Sequence, residues 1–360
     1  MIRTWRTRAL IDLSALRQNV KVIRKLAGDA RVYAVVKADA YGHGINNIVP
    51  AICHSVDGFA VATLEEGIRC RKYAENNAIM VLSEFSEPEQ IDIFRQYQLQ
   101  PVIHREQQAR WVGESEGLSS GVWIKIESGM NRLGISPENV TAIINILRRS
   151  MKVKKLGLMS HLASADEMDS DQTPRQCERF LEYASGHPGE VSIANSAALI
   201  GWPQTRLDIV RPGLMLYGIS PSQHQSALEL GLRPVMQLES RLIAVKEISA
   251  GDAVGYGASW KASKSTKIGV AGFGYADGYP RRISNRGSVI VRDRSAPVIG
   301  KVSMDMMTLD LTGCGEVQEG DIAELWGPKL GVEIVAGWAD TIPYELLCSV
   351  SPRVPRIPIN

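Results

Sequence analysis

The stretch that decides the fold is VYAVVKADAYGHG, residues 32–44. Its first five residues, Val32 to Val36, are apolar and rich in β-branched side chains, which is the length and texture of a strand buried on both faces. Lys37 ends that run. The residues after it, Ala38, Asp39, Ala40, Tyr41, Gly42, His43 and Gly44, form a small-residue turn that cannot prolong a strand and leads towards a helix. A lysine held where a parallel strand ends lies on the face where α/β proteins gather reactive groups. Partial desolvation there lowers an amine's pKa and favours covalent chemistry with carbonyl compounds. Most strand-terminal lysines simply point into water, so the rest of the chain has to decide.

Outward from this stretch, short β-branched runs alternate with longer amphipathic ones. Strands are expected at 31–37, 58–63, 78–83, 100–104, 122–127, 155–161, 190–195 and 209–217, with helical patterns such as 64–74, 88–97, 137–150 and 175–184 between them. Alternation of this kind implies a parallel sheet, and eight units imply a (β/α)8 barrel. Periodicity alone leaves an open doubly wound sheet in play, although no G-x-G-x-x-G follows an early strand. Beyond a polar connector at 221–229 the texture changes to short strand-like runs at 242–248, 267–272, 288–291, 298–302, 307–311 and 322–325, divided by Gly and Asp turns. That predicts a mostly β domain, closed by a helix over 344–353. The fold class is therefore α/β, an N-terminal (β/α)8 barrel over residues 1–230 and a C-terminal mostly β domain over 231–360.

The chain has 360 residues, more than one core usually organises. Its net charge is +2 with both signs interspersed, which argues against a nucleic-acid footprint or a membrane-binding basic patch. Arg3, Arg6 and Arg8 precede an apolar segment broken by Asp12, so no signal peptide is expected, and no apolar run reaches the ~20 residues of a spanning helix. The five cysteines are scattered without a C-x-x-C pair and read as reduced thiols of a cytoplasmic protein. Small molecules and a second copy of the chain are the expected partners.

The expected barrel strands from the fifth onward finish near polar groups: Lys125 with Arg132 beyond it, His161, Asn195 with Ser196, and Arg211. Singly each would pass as loop polarity. Together, near C-terminal strand ends, they mark a site.

Residues 37–44 resemble the lysine motif of the alanine racemases. So do KIESGMNRLG (125–134), MSHLASAD (159–166), ANSAA (194–198), VRPGLMLYG (210–218), VGYG (254–257), GYADGYPR (274–281), VSMDM (302–306) and YEL (344–346), in the family's order over nearly the whole chain. The resemblance implies a pyridoxal 5'-phosphate enzyme that interconverts L-alanine and D-alanine with two bases. Lys37 would hold the cofactor and act on one face, and Tyr256, lent by the partner subunit of a homodimer, on the other. It further implies Arg211 at the pyridine nitrogen, His161 near the ring, Arg132 at the phenolic oxygen, and Tyr41, Asn195, Ser196, Gly213, Leu214 and Tyr344 around the cofactor and its phosphate. Tyr275 and the Met304 backbone, with Arg132, would meet the substrate carboxylate, and Lys125 matches a lysine that is often carbamylated. Tyr256 and Tyr344 would narrow the entrance to a methyl side chain.

Each residue has a plainer reading: Tyr256-Gly257 as a turn, Met304 as core, Ser196 as a helix N-cap, Lys125 as a barrel residue paired with an acid. Lys301, Asn131 and the segment 84–88 depart from the family's usual pattern. A broad-specificity or serine-preferring racemase is the nearest alternative activity. Barrel-type amino-acid decarboxylases, which use an acid where Arg211 stands, and single-domain cofactor carriers are the more distant ones.

Overall fold

The computed structural model describes residues 5–360 apart from 117, 150–152, 154 and 223. Arg3 and Ser150, both part of the sequence reading, lie outside the described residues. The chain divides into two compact units, one made of Leu16–Ala40 and Ile45–Leu232, the other of the residues up to Ala15, Tyr41–Gly44 and Arg233–Asn360.

In the first unit eight parallel strands close a barrel: Arg31–Val35, Gly58–Val61, Ala78–Val81, Gln100–Ile103, Val122–Lys125, Leu156–Met159, Val191–Ser192 and Ile209–Val210. Closure is made by the first and last, with Val32 opposite Val210. Seven of the expected strands lie where the sequence places them, trimmed at their ends. The eighth is a correction, because only Ile209–Val210 pairs and Leu214–Tyr217 coils into a 3-10 turn. Pro212 lacks a donor and Gly213 adopts a non-extended conformation (φ −121, ψ −78), so the ladder cannot continue.

Within the barrel sheet one cross-strand pair sets a large residue against a small one. Gly157 stands opposite Trp123, whose ring a Cβ at 157 would meet at 2.5 Å. The helices bury one stripe each, as in Val140–Arg149 with Val140, Ile143 and Leu147 inward. Leu64–Arg71 starts on a capping box, Thr63 accepting from the Glu66 amide and Glu66 accepting from that of Thr63.

The second unit is a twisted antiparallel sheet. Met236–Ile248 is its spine: its first half pairs with Thr7–Asp12 and Ile322–Trp326, its second half with Thr266–Ala271. Met307–Asp310, Arg294–Ile299 and Ser288–Val291 complete the path between Thr266–Ala271 and Ile322–Trp326, so six strands form a ring. Thr7–Asp12 has alternating burial and also pairs in parallel with Arg356–Ile359. Both strands, and the helix Val332–Ala339, went unread in the sequence; the expected closing helix is Pro343–Ser349. Among the described residues no helix is long and apolar enough to cross a membrane, and all five cysteines are free thiols.

Candidate active site

Lys37 follows Val35 and Val36 at the C-terminal end of the first barrel strand, and the backbone there reverses its usual hand. Ala38, Asp39, Ala40 and Tyr41 have φ of 51°, 51°, 57° and 51°, four consecutive non-glycine residues in the left-handed region. Each costs about 1–2 kcal/mol, so the turn persists only because its surroundings hold it. The Ala40 amide donates to Val36 O at 2.9 Å, and Asp39 accepts from the Ile45 amide at 3.0 Å and pairs with Arg69 at 2.6 Å. The turn thereby stops the strand Arg31–Val35 just short of Lys37 and leads into the helix Ile45–Ile52.

Around the same barrel end the structure gathers Lys37, Lys125, Arg132, His161 and Arg211. Lys125 is buried, and burial together with Arg132, Arg211 and Lys37 pulls its amine down to about 8, Glu127 opposing. His161 is pushed down to about 3 by burial first and then by Arg211, Lys125, Arg132 and Lys37, so its imidazole is neutral at physiological pH. Arg211 is buried and lowered to about 10 by desolvation, yet remains a cation at neutral pH. Its guanidinium is pinned: it donates to the Ser192 hydroxyl, to Ser160 O at 2.6 Å and to Ile193 O at 3.5 Å. Around Lys125 three other cations lower the amine and Glu127 opposes them, a charge balance that favours an anion.

Asn195, not Ser196, caps the short helix Ser196–Gly201, accepting from the Ala198 amide at 3.0 Å. Ser196 is buried and its hydroxyl accepts from the Gly213 amide at 2.8 Å and the Met215 amide at 3.4 Å, tying that helix start to the turn carrying Leu214. His104 is a group the sequence reading passed over. It follows Ile103, which is in register with Ile124, so it stands across from Lys125, and its buried Nδ1 has no hydrogen-bond partner among the described residues. It ends the expected strand 100–104, so counting polar strand ends from the fourth strand rather than the fifth would have found it.

In the second unit, Tyr41 and Tyr344 lie with ring centroids 5.7 Å apart, Tyr41 buried and its phenol pushed well up, chiefly by desolvation. Tyr256 is 70% exposed on a kinked turn bounded by Gly255 at φ 69° and Gly257 at φ 71°. Tyr275 and Met304 are also exposed, on loops joined by two bonds, the Tyr275 amide to Ser303 O at 3.0 Å and the Ala276 amide to Met304 O at 2.9 Å.

A closed barrel with a lysine and three further cations at its C-terminal end, followed by a β unit that exposes tyrosines on short turns, is the frame of a barrel enzyme with an anion-binding end. Family models described as alanine racemase N-terminal domain and alanine racemase C-terminal domain match residues 11–221 and 235–358. The chain is 42% identical to the catabolic alanine racemase of Pseudomonas aeruginosa over 97% of its own length and 98% of the relative's. It is 43% identical to an alanine racemase of Vibrio parahaemolyticus over 96% and 97%. Among solved structures, the biosynthetic alanine racemase of Pseudomonas aeruginosa superposes with a TM-score of 0.95 at 40% identity, covering 99% of this chain and 100% of that one. That of Bartonella henselae, described with covalently bound pyridoxal phosphate, gives 0.90 at 29% identity over 99% and 100%. The chain belongs to the alanine racemase family, and its activity is racemisation of an amino acid rather than decarboxylation or cofactor carriage.

Proposed function

We propose that the chain interconverts L-alanine and D-alanine with pyridoxal 5'-phosphate held at the cationic end of its barrel. The observation that carries this is Lys37, delivered by a strained left-handed turn to the barrel end shared by Lys125, Arg132, His161 and Arg211. That charge balance suits a doubly anionic phosphate ester, and the donor set suits its ring: a cationic Arg211, fixed by three acceptors, and a neutral His161.

Pyridoxal phosphate, when bound, spreads the charge left as a proton leaves the α-carbon. The chain supplies the rest. Lys37 Nζ anchors the cofactor and carries the proton on one face; Tyr256 Oη, contributed by the partner of a homodimer, carries it on the other. Arg211, a guanidinium that donates hydrogen bonds and accepts none, would face the pyridine nitrogen without stabilising a proton on it, an arrangement that would favour simple proton return over transamination. Ser196 and the backbone of Gly213 and Leu214 in the barrel would hold the phosphate, and Asn195, Tyr41 and Tyr344 would be further cofactor-binding residues. Arg132, Tyr275 and the Met304 backbone orient the substrate carboxylate. Lys125, about one tenth neutral at pH 7 for an amine of pKa about 8, is the amine open to carbamylation. With Tyr256 and Tyr344 at the entrance, alanine is preferred, and leakage to substrates one group larger costs ~1–3 kcal/mol.

The test is a D/L conversion assay over a panel of amino acids with the cofactor's visible absorbance followed in parallel. Conversion of alanine in both directions, lost together with that absorbance in Lys37→Ala, is expected. A colourless protein after incubation with pyridoxal phosphate, or an active Lys37→Ala, overturns the reading.

A further inference from the structure

Asp277 is charged, completely buried, and absent from every role assigned above. It sits in the second unit within the 3-10 turn Tyr275–Asp277, and its carboxylate accepts from the Gly274 amide at 3.0 Å. Two guanidiniums reach the same carboxylate from opposite ends of the chain, Arg6 at 2.8 Å and Arg353 at 3.4 Å. Both then reach past it to the neighbouring loop: Arg6 donates to Asp305 O at 3.1 Å and Arg353 pairs with the Asp305 carboxylate at 2.6 Å. Gly274 packs directly on that loop, for a Cβ there would meet Met304 O at 2.3 Å and Ser303 O at 2.4 Å.

These contacts fasten together the two loops that carry Tyr275 and Met304, side chains left 44% and 53% exposed. Apolar groups at such exposure gain nothing by staying out of the core, so their loops need another restraint. A buried carboxylate shared between two guanidiniums is one, because its geometry is directional and its loss leaves charges unpaired. We infer that Asp277, through Arg6, Arg353 and Asp305, is a positioning residue that holds Tyr275 and the Met304 backbone in register for the substrate carboxylate. This rests on the function proposed above for where substrate binds, though not for the clamp itself.

Substrate and transition state share the carboxylate, so loosening its seat weakens both alike and raises KM while kcat is kept. In the holoenzyme, Asp277→Asn puts an amide donor against two donor groups, and Asp305→Asn weakens the exposed side of the clamp, where its carboxylate pairs with Arg353 at 2.6 Å and Arg6 at 4.0 Å, with little risk to folding. Each is expected to raise KM for alanine, Asp277→Asn by about tenfold and Asp305→Asn by about threefold, with kcat within about twofold. Arg353→Gln should behave like Asp305→Asn, and Arg353→Lys should recover most of the loss. A merely structural role predicts the opposite split, fewer active molecules with KM unchanged, and that result overturns the proposal. Hydrogen exchange gives a readout independent of activity: the Tyr275 and Ala276 amides should exchange faster in Asp277→Asn than in the wild-type chain. If they do not, the clamp is refuted; if the wild-type chain fails to racemise alanine while these amides do respond, the functional reading falls and the clamp stands.

Discussion

Lys125 shows what the cationic barrel end costs. Its amine is lowered from 10.5 to about 8 by burial and by Arg132, Arg211 and Lys37. Between about pH 8 and 10.5 the unfolded chain therefore binds more protons at this residue than the folded one, and stability from this source rises with pH across that window. Below pH 8 both states are protonated and the full penalty is present, up to about 3 kcal/mol. In protein freed of pyridoxal phosphate, Lys125→Met should be more stable than wild type by about 2–3 kcal/mol at pH 7, a gap that shrinks as pH passes from 8 towards 10. Urea titrations at pH 7 and pH 9.5 measure it; a gap that is constant with pH would mean that Lys125 is not the source. His161 works in a lower window. With its imidazole down at about 3, it destabilises the folded chain only in acid, as pH falls from about 6.5 towards 3, and adds no inflection to a rate profile between pH 7 and 9.

At the scale of the element, the turn after the first barrel strand is where local preference and final structure disagree. Ala38 is exposed at φ 51°, a conformation that glycine adopts freely and alanine does not. Ala38→Gly should accordingly stabilise the chain, by up to about 1 kcal/mol after the added freedom of the unfolded state is subtracted. Gly42 is the converse. It has φ 75°, and a Cβ there would meet Leu347 O at 2.1 Å, within backbone that cannot yield cheaply. Gly42→Ala should destabilise by more than about 2 kcal/mol; denaturation midpoints of the two variants shifting in the same direction would contradict this picture of the turn. Sequence reasoning located the turn, because Gly42 and Gly44 punctuate it and Lys37 ends an apolar run. Its handedness was not legible, since four consecutive residues with side chains in the left-handed region run against every local propensity and are imposed by tertiary contacts. The strand Thr7–Asp12 shows a different blindness. Its burial alternates as a strand's should, but its partner in Met236–Ile248 lies more than 220 residues away, and no short window connects them. The Asp277 clamp was hidden for the same reason, its two arginines coming from positions 6 and 353.

For the whole molecule, the barrel's rhythm and the change of texture after residue 220 made the architecture readable, and the resemblance supplied roles that pattern alone does not reach. The pairing of Lys37 with a phenol from a second copy is the proposal that tests the molecule as an assembly. If each site combines Lys37 of one subunit with Tyr256 of the other, a homodimer of Lys37→Ala has no intact site, and neither has a homodimer of Tyr256→Phe. Unfolding and refolding the two variants together at equal concentration yields about half mixed dimers, each with one wholly wild-type site and one doubly altered site. Activity should then return to about a quarter of wild type. Were both residues supplied by one subunit, the mixture would stay as inactive as its parents, because no dimer would contain both groups in one chain. Restored activity should also decline on dilution as subunits part. The quarter return distinguishes a shared site from mere dimerisation, since a dimer with self-contained sites dissociates just as readily and rescues nothing.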